Sequence, residues 1–584
     1  MYSCPGCGGE MRFEPSVQKL VCDHCDRQMT VPEYNIQNPF ATTSAEGEKA
    51  TPGEAAFEGE EILRAQEKQQ QGEAEEFETY IFTCPQCGGE IMAEENTAAT
   101  FCCYCGSSII LKPRISREKA PDFIIPFSKT MEDCATAYKR TLARAIFAPN
   151  SFRQDATIER FRGIYMPYWI YAYQKKGHVS AKGTSEYRRG DYIYTDHYDV
   201  GFDVDANCAG IAYDAASNFS DNLSQAIAPF DMEGAQYFDK GYLAGFYADV
   251  RDVRSGIYVE EGRNMMAQET AQRALSRLKT KSTVESAGLV TELRPVNTRT
   301  DFGFFPVWFL ANRSKDGSRV SYAVVNGQTG RVAADLPVSW GKFAIGSLIV
   351  AVPIFFFLNL LVTLTPLKVV IATIIMAIVS WIIINRQANL LYTREHSLDD
   401  AGYAENNEAV RSEKSRLQAS RHESIAVTAE KPKTIGGIIV KAIIWDMIGF
   451  FALVGLVNWG SLSDVIEALL LFYMTFGQMF VIGYTVLRCT TRNHVRKSTK
   501  RVWYTAPASE KIKYIWKNLV AIALCVIMLF WDPIYDEVYY GVALAAVLLV
   551  GWSFIDMIRQ HNLLTQRPLP QFNPRGGEEY EHRQ

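Results

Sequence analysis

Thirteen cysteines occur in this chain of 584 residues, and eight of them form four C-x-x-C pairs. Cys4, Cys7, Cys22 and Cys25 are repeated at a constant offset of eighty by Cys84, Cys87, Cys102 and Cys105, both sets spaced C-x2-C-x14-C-x2-C. Four thiolates so placed satisfy a tetrahedral Zn²⁺, each C-x-x-C supplying two sulfurs from one tight turn. Gly8 and Gly9, and again Gly88 and Gly89, suit the left-handed backbone such a turn needs. Two structural Zn²⁺ ions are therefore expected. Four protein ligands close the coordination shell and leave no position for water or substrate, so catalysis at the metal is not expected. Each ribbon is too small to bury a core, and metal binding supplies folding energy in its place. Paired cysteines of this kind imply a reducing compartment. Cys103, Cys134, Cys208, Cys489 and Cys525 fit small buried hydrophobes.

The elements around these ligands point to a multidomain chain. Two N-terminal Cys4 zinc ribbons occupy 1–34 and 80–112, joined by an acidic flexible linker over 35–79. An α+β cytoplasmic domain follows over 120–341, then a C-terminal all-α polytopic membrane domain over 342–560 and a disordered tail over 561–584. Residues 39–79 hold eleven Glu against Lys49, Arg64 and Lys68, the composition of a solvated spacer, with partial helix possible from Glu54 to Glu78. No basic n-region precedes an apolar core at the start, so a cleavable signal peptide is not expected.

Charge argues against nucleic acid as a partner. The net charge is −5, and residues 1–34 set Arg12, Lys19 and Arg27 against Glu10, Glu14, Asp23, Asp26 and Glu33. No stripe tracks phosphates, and each Cys4–zinc centre adds negative charge. The stretch LKPRISREK is the most basic candidate and is expected to be a solvated linker.

In the middle domain, SKTMEDCATAYKRTLARAIF has helical spacing after a candidate cap at Ser128, and GRNMMAQETAQRALSRLKT forms a second amphipathic helix. YIYTDHYDVGFDVD, GFFPVWFLANR and SYAVVNGQTGRVAADLPV look like strands, with Asn326-Gly327 expected at positive φ in a hairpin reversal. YMPYWIY and FFPVWFL are expected to enter the core after proline bends at Pro167 and Pro306. His178 and His197 are the domain's only histidines, and no nucleophile motif or phosphate loop accompanies them, so an enzyme is not expected. Asp196, Asp199, Asp203 and Asp205 lack EF-hand spacing and fit alternating exposed strand positions.

Six apolar segments follow, at 343–364, 367–385, 436–457, 465–487, 515–531 and 538–556. Most are long enough to cross about 30 Å of hydrocarbon. Lys513 and Lys517 are expected to snorkel from the near end of the fifth. Arg386, Arg394, Arg411, Lys414 and Arg416 crowd one loop, and Arg488, Arg492, Arg496, Lys497, Lys500 and Arg501 another, whereas the alternate connections carry no Lys or Arg. The basic loops mark the cytoplasmic side, which gives a multi-pass plasma-membrane protein with both termini in the cytoplasm. Asp446 lies within the third segment, where an acid is costly; a polar contact with Gln478 or Asn359 and a place on an ion path are both open.

The ribbons resemble the TFIIB-type zinc ribbon. With the PYW and FFPVWFL strands, the NGQTGR hairpin and the helical C-terminal half, the chain is similar to bacterial membrane proteins that carry such ribbons. That resemblance implies a cytoplasmic head recruiting an SPFH-domain (flotillin-like) partner, alongside a TPM-domain membrane protein and a PspA-like envelope-stress protein. The leading expectation is a non-enzymatic scaffold that docks a cytoplasmic partner at the lipid bilayer. The alternatives are a small-solute transporter or channel with a metal-stabilised regulatory head and, more weakly, a membrane-tethered nucleic-acid-binding protein.

Overall fold

The computed structural model describes residues 2–38, 76–84, 89–93, 102–106, 113–154, 160–217, 219–277, 283–284, 286–313, 319–359, 365–396, 421–423, 502–504, 508–531 and 533–568. The first ribbon is a three-stranded sheet of β1 (Met11–Glu14), β2 (Lys19–Cys22) and β3 (Gln28–Met29), closed by helix α1 (Val31–Gln37). Thr30 caps α1 in a reciprocal box with Glu33, satisfying two otherwise orphaned amides.

The second cysteine set is not a separate bead. Its strands β4 (Glu76–Thr83) and β5 (Glu90–Ala93) join β6 (Pro113–Lys119) in the same 13-stranded sheet as the middle domain. The acidic stretch expected as linker thus ends in strand from Glu76. From Pro113 on, the basic stretch expected as a solvated linker is strand β6, its Arg117 and Arg114 paired with Glu78 and Glu90 at 3.0 and 3.1 Å. Cross-strand opposite charges favour that pairing.

β7 (Phe123–Ile124) leads to α2 (Met131–Arg144), whose cap is Thr130, not Ser128: Thr130 and Asp133 form the capping box. The Ser128 amide instead donates to the Gly327 carbonyl, 2.9 Å away. β8 (Arg162–Arg189) and β9 (Tyr192–Asp214) form a long antiparallel hairpin. Then come α3 (Asp221–Ile227), β10 (Gln236–Tyr237), β11 (Tyr247–Asp249), α4 (Val259–Arg277), β12 (Thr283–Val284) and α5 (Ser286–Glu292). β13 (Val296–Arg313), β14 (Arg319–Asn326) and β15 (Val332–Ala334) complete the head.

β8 and β13 are apolar at successive positions because both faces of the sheet are covered. Ile164, Met166, Tyr168, Phe305, Val307 and Phe309 point into one core, and Tyr165, Phe304, Trp308 and Leu310 into the other. α2 covers the second core through Cys134, Tyr138 and Leu142, while the first is covered by α3 and by the second cysteine set itself. Pro167 and Pro306 lie inside these strands, opposite Phe304 and Tyr165, and not at bends before them. Their carbonyls accept from Ala215 and Gly327, each at 2.8 Å. At the β14–β15 reversal the left-handed residue is Gly330 (φ +74°), not Asn326 or Gly327. The Asn326 side chain accepts from the amides of Gln328 and Thr329, both at 2.9 Å, and so makes the turn with its own carbonyl.

Helix α6 (Trp340–Asn359) follows the head directly, and α7 (Pro366–His396) comes next. β16 (Arg421–Glu423) and β17 (Val502–Tyr504) pair with each other. α8 (Ala508–Trp531) and α9 (Asp536–Thr565) then pack on α7 through Val370, Met376, Ala521, Cys525, Ala546 and Val550. Among the described residues three helices are long and apolar enough to cross a membrane: Val369–Asn389, Lys511–Trp531 and Asp536–Thr565. The expected third and fourth segments, Asp446 and Cys489 lie outside the described residues.

Two expectations change here. Lys517 does not snorkel outward: it is buried, its ammonium paired with Asp556 and 4.4 Å from the centre of the Trp552 ring. The beginning of the expected disordered tail is ordered, since α9 runs to Thr565 and β18 (Arg567–Pro568) pairs with β14.

Candidate metal centres

In the first ribbon, two turns with the same hydrogen-bond pattern carry the ligands. The Cys4 amide donates to the Gly9 carbonyl (2.7 Å) and the Gly8 amide to the Cys4 carbonyl (2.8 Å); the Cys22 amide donates to Arg27 and the Asp26 amide to Cys22, both at 3.0 Å. The left-handed residue is Gly8 (φ +73°) in the first turn and Asp26 (φ +55°) in the second. Asp tolerates that region better than most side chains, so the second turn forms without glycine. Gly9 serves a different purpose from the one expected: a Cβ there would stand 3.1 Å from the His24 Cβ and 3.4 Å from the sulfurs of Cys22 and Cys7.

These turns bring all four sulfurs within 4.8 Å of one another. Cys4 and Cys25 stand 3.6 Å apart, Cys7 and Cys22 3.5 Å. A tetrahedron with metal–sulfur bonds of about 2.3 Å has edges of about 3.8 Å, whereas a disulfide would need about 2.05 Å. The cluster fits a metal ion. Its electrostatics point the same way. The Gly6 amide, foremost, holds Cys4 down to about 6. The Gly9 amide pulls Cys7 down as well, but neighbouring Cys25 and Cys22 outweigh it and leave that thiol at about 12. Four sulfurs this close repel one another as thiolates, and a divalent cation removes that repulsion.

Cys84, Cys102 and Cys105 form the second cluster, with Cys84 and Cys105 sulfurs 3.8 Å apart. Cys87 and Gly88 lie outside the described residues. The Cys84 amide donates to Gly89 (2.9 Å) and the Gly106 amide to Cys102 (2.8 Å), the pattern of the first ribbon, with Gly106 at φ +66°. The surroundings differ. Cys7 and Cys25 are exposed, whereas Cys84, Cys102 and Cys105 are at most 1 % exposed.

The chain is similar to YdjG. That uncharacterised protein of Bacillus subtilis strain 168 is 26 % identical over 351 residues, which is 59 % of this chain and 92 % of YdjG. The match is longer than the whole ribbon region, so the likeness to YdjG extends beyond the cysteine motifs. No family model matches the chain, and no solved structure matches it.

Two groups beside the second cluster carry no sequence signal. Tyr104, buried between Cys103 and Cys105, meets the Phe309 ring edge-on at 5.6 Å. Asp249, on β11 opposite Ile91 of β5, is pushed up to about 8 by burial, with the Tyr104 hydroxyl opposing. Of the strand acids, Asp203 faces the His178 ring at 3.0 Å and Asp205 pairs with Lys176 at 3.4 Å, so the ladder gives each a cross-strand side-chain partner. Cys103, Cys134 and Cys525 are buried as expected, but Cys208 is only half-buried.

Proposed function

We propose that the chain is a non-enzymatic, membrane-anchored zinc-ribbon scaffold. Its two Cys4 sets hold structural Zn²⁺, and its cytoplasmic head docks an SPFH-domain (flotillin-like) partner in an envelope-stress system that includes TPM-domain and PspA-like proteins. The helical half fixes the head at the plasma membrane as a multi-pass anchor, with both termini in the cytoplasm. One observation carries most of this reading: β18, after the last long apolar helix, pairs with β14 of the head, Val320 opposite Arg567. The chain therefore returns to the head after α9, as an even number of crossings requires. The cysteine clusters add support, since zinc held by four thiolates would contribute folding energy and not chemistry.

The test is affinity capture of the full-length protein from detergent-solubilised membranes, with and without Cys84→Ser and Cys102→Ser. Loss of an SPFH-domain protein from the captured set supports the reading. An unchanged set removes the second ribbon from docking, and a wild-type preparation without metal removes zinc from the reading.

The transporter reading keeps one specific support, the charge pair Lys517–Asp556 inside the helical bundle. Intramembrane ionisable pairs mark many solute paths. Ion or solute flux in reconstituted vesicles, lost in Asp556→Asn, would favour it over the scaffold.

A further inference from the structure

We propose that the first ribbon is a metal-dependent cap over the 239–246 segment of the head, released while the second ribbon stays in place; this rests on the two-zinc reading above. The two ribbons share ligands and turns but are attached in different ways. The second is tied by hydrogen-bond ladders, β4 to β6 and β5 to β11, and its Cys84, Cys102 and Cys105 lie in the head's own core. The first has no strand in that sheet.

Its contacts with the head are side-chain packing and a few hydrogen bonds. Phe13 meets Tyr242 edge-on at 5.4 Å, and Ala244 is buried among Tyr2, Phe13, Leu20 and Val31. Asn35 donates to Asp239 at 2.5 Å, Gln18 to the Phe127 carbonyl at 2.6 Å, and the Phe13 amide to the Ala244 carbonyl at 3.0 Å. Under this cap, Phe246 stacks on Phe127 at 4.3 Å and turns its edge to Trp308, linking the segment to the core.

Exposure decides which metal leaves first. A competing chelator reaches the sulfurs of Cys7 and Cys25 without any unfolding, whereas the described ligands of the second set are covered. The ribbon's small apolar core does not hold its shape without the ion. Metal loss therefore unfolds the ribbon and bares Tyr242, Ala244 and Phe246.

The experiment uses full-length zinc-loaded protein in detergent, titrated with EDTA, with released metal and amide hydrogen exchange read together. One ion is expected to leave at low chelator. At that point exchange over 240–246 rises by about tenfold or more while β4 and β5 keep their protection. Joint release of both ions overturns the proposal, as does release of one without change at 240–246. A second arm uses Asn35→Ala with Gln18→Asn. This pair spares all ligands and keeps at position 18 a residue tolerant of its φ of +56°, while removing two bonds to the head. Faster exchange at 240–246 with both ions bound is expected, and unchanged exchange overturns the cap. Protein that purifies without metal overturns the release mechanism together with the zinc reading, and the double variant still decides the cap contact alone.

Discussion

The side chain of Asn562, near the end of α9, closes a two-way clasp on the backbone of Val338. Its Oδ1 accepts from the Val338 amide at 2.7 Å and its Nδ2 donates to the Val338 carbonyl at 2.8 Å. Both backbone groups sit where the last strand of the head passes into α6, packed beside Phe147, Ile515 and Leu564. Asn562→Ala leaves a buried donor and acceptor unmatched, at about 1–3 kcal/mol each. We expect a lower unfolding midpoint in detergent and faster exchange at Val338, with the ribbons' metal content unchanged. Normal exchange at Val338 would show that the clasp carries no stability.

Asp556→Leu should destabilise the helical bundle by about 3–5 kcal/mol, because it strands the Lys517 ammonium without its carboxylate. Lys517→Met combined with Asp556→Leu should recover most of that loss. Unfolding of the three proteins in the same detergent checks the order, and a double variant as weak as the single one contradicts it.

Gly327 and Gly330 separate two reasons for glycine. Gly327 has no left-handed φ, but a Cβ there would lie 2.6 Å from the Phe127 ring and 2.8 Å from the Pro306 Cβ; Gly330 has φ +74° with open space around it. Gly330→Ala should cost about 1–2 kcal/mol of backbone strain. Gly327→Ala should cost about as much or more, because Phe127 and Pro306 are locked in the core and yield only by repacking it. Thermal melts rank them, and a harmless Gly327→Ala would rule out the close approach.

Asp301 gives a pH signature. Burial, opposed by Arg299 at 2.7 Å, raises its carboxyl from the ordinary 3.8 to about 6. The folded protein therefore keeps a proton that the unfolded chain has lost, and this contribution to stability falls as pH rises from about 4 to about 6. Relative to Asp301→Asn, the wild type should lose stability across that window and then run parallel to the variant above it. Denaturation midpoints between pH 4 and 7.5 test this; a constant difference throughout refutes it.

Much of the molecule is local, and local features are legible in the sequence. A C-x-x-C turn places two sulfurs by backbone geometry alone, so the repeated spacing marked Cys4, Cys7, Cys22 and Cys25 as one cluster and Cys84, Cys102 and Cys105 as members of another. Apolar runs likewise mark α7, α8 and α9, because a helix's length and composition belong to the segment itself. The tertiary structure decided which neighbours those segments meet. The second ribbon's place in the head rests on β5 pairing with β11, Ile91 opposite Asp249, and a strand's alternation says which face is buried but not which strand lies beside it. The inward turn of Lys517 required Asp556, brought opposite only when α8 and α9 pack. Docking of the first ribbon on Tyr242 and the clasp of Asn562 on Val338 join residues more than two hundred positions apart. Such contacts depend on the shapes of two finished surfaces, which composition and spacing do not encode.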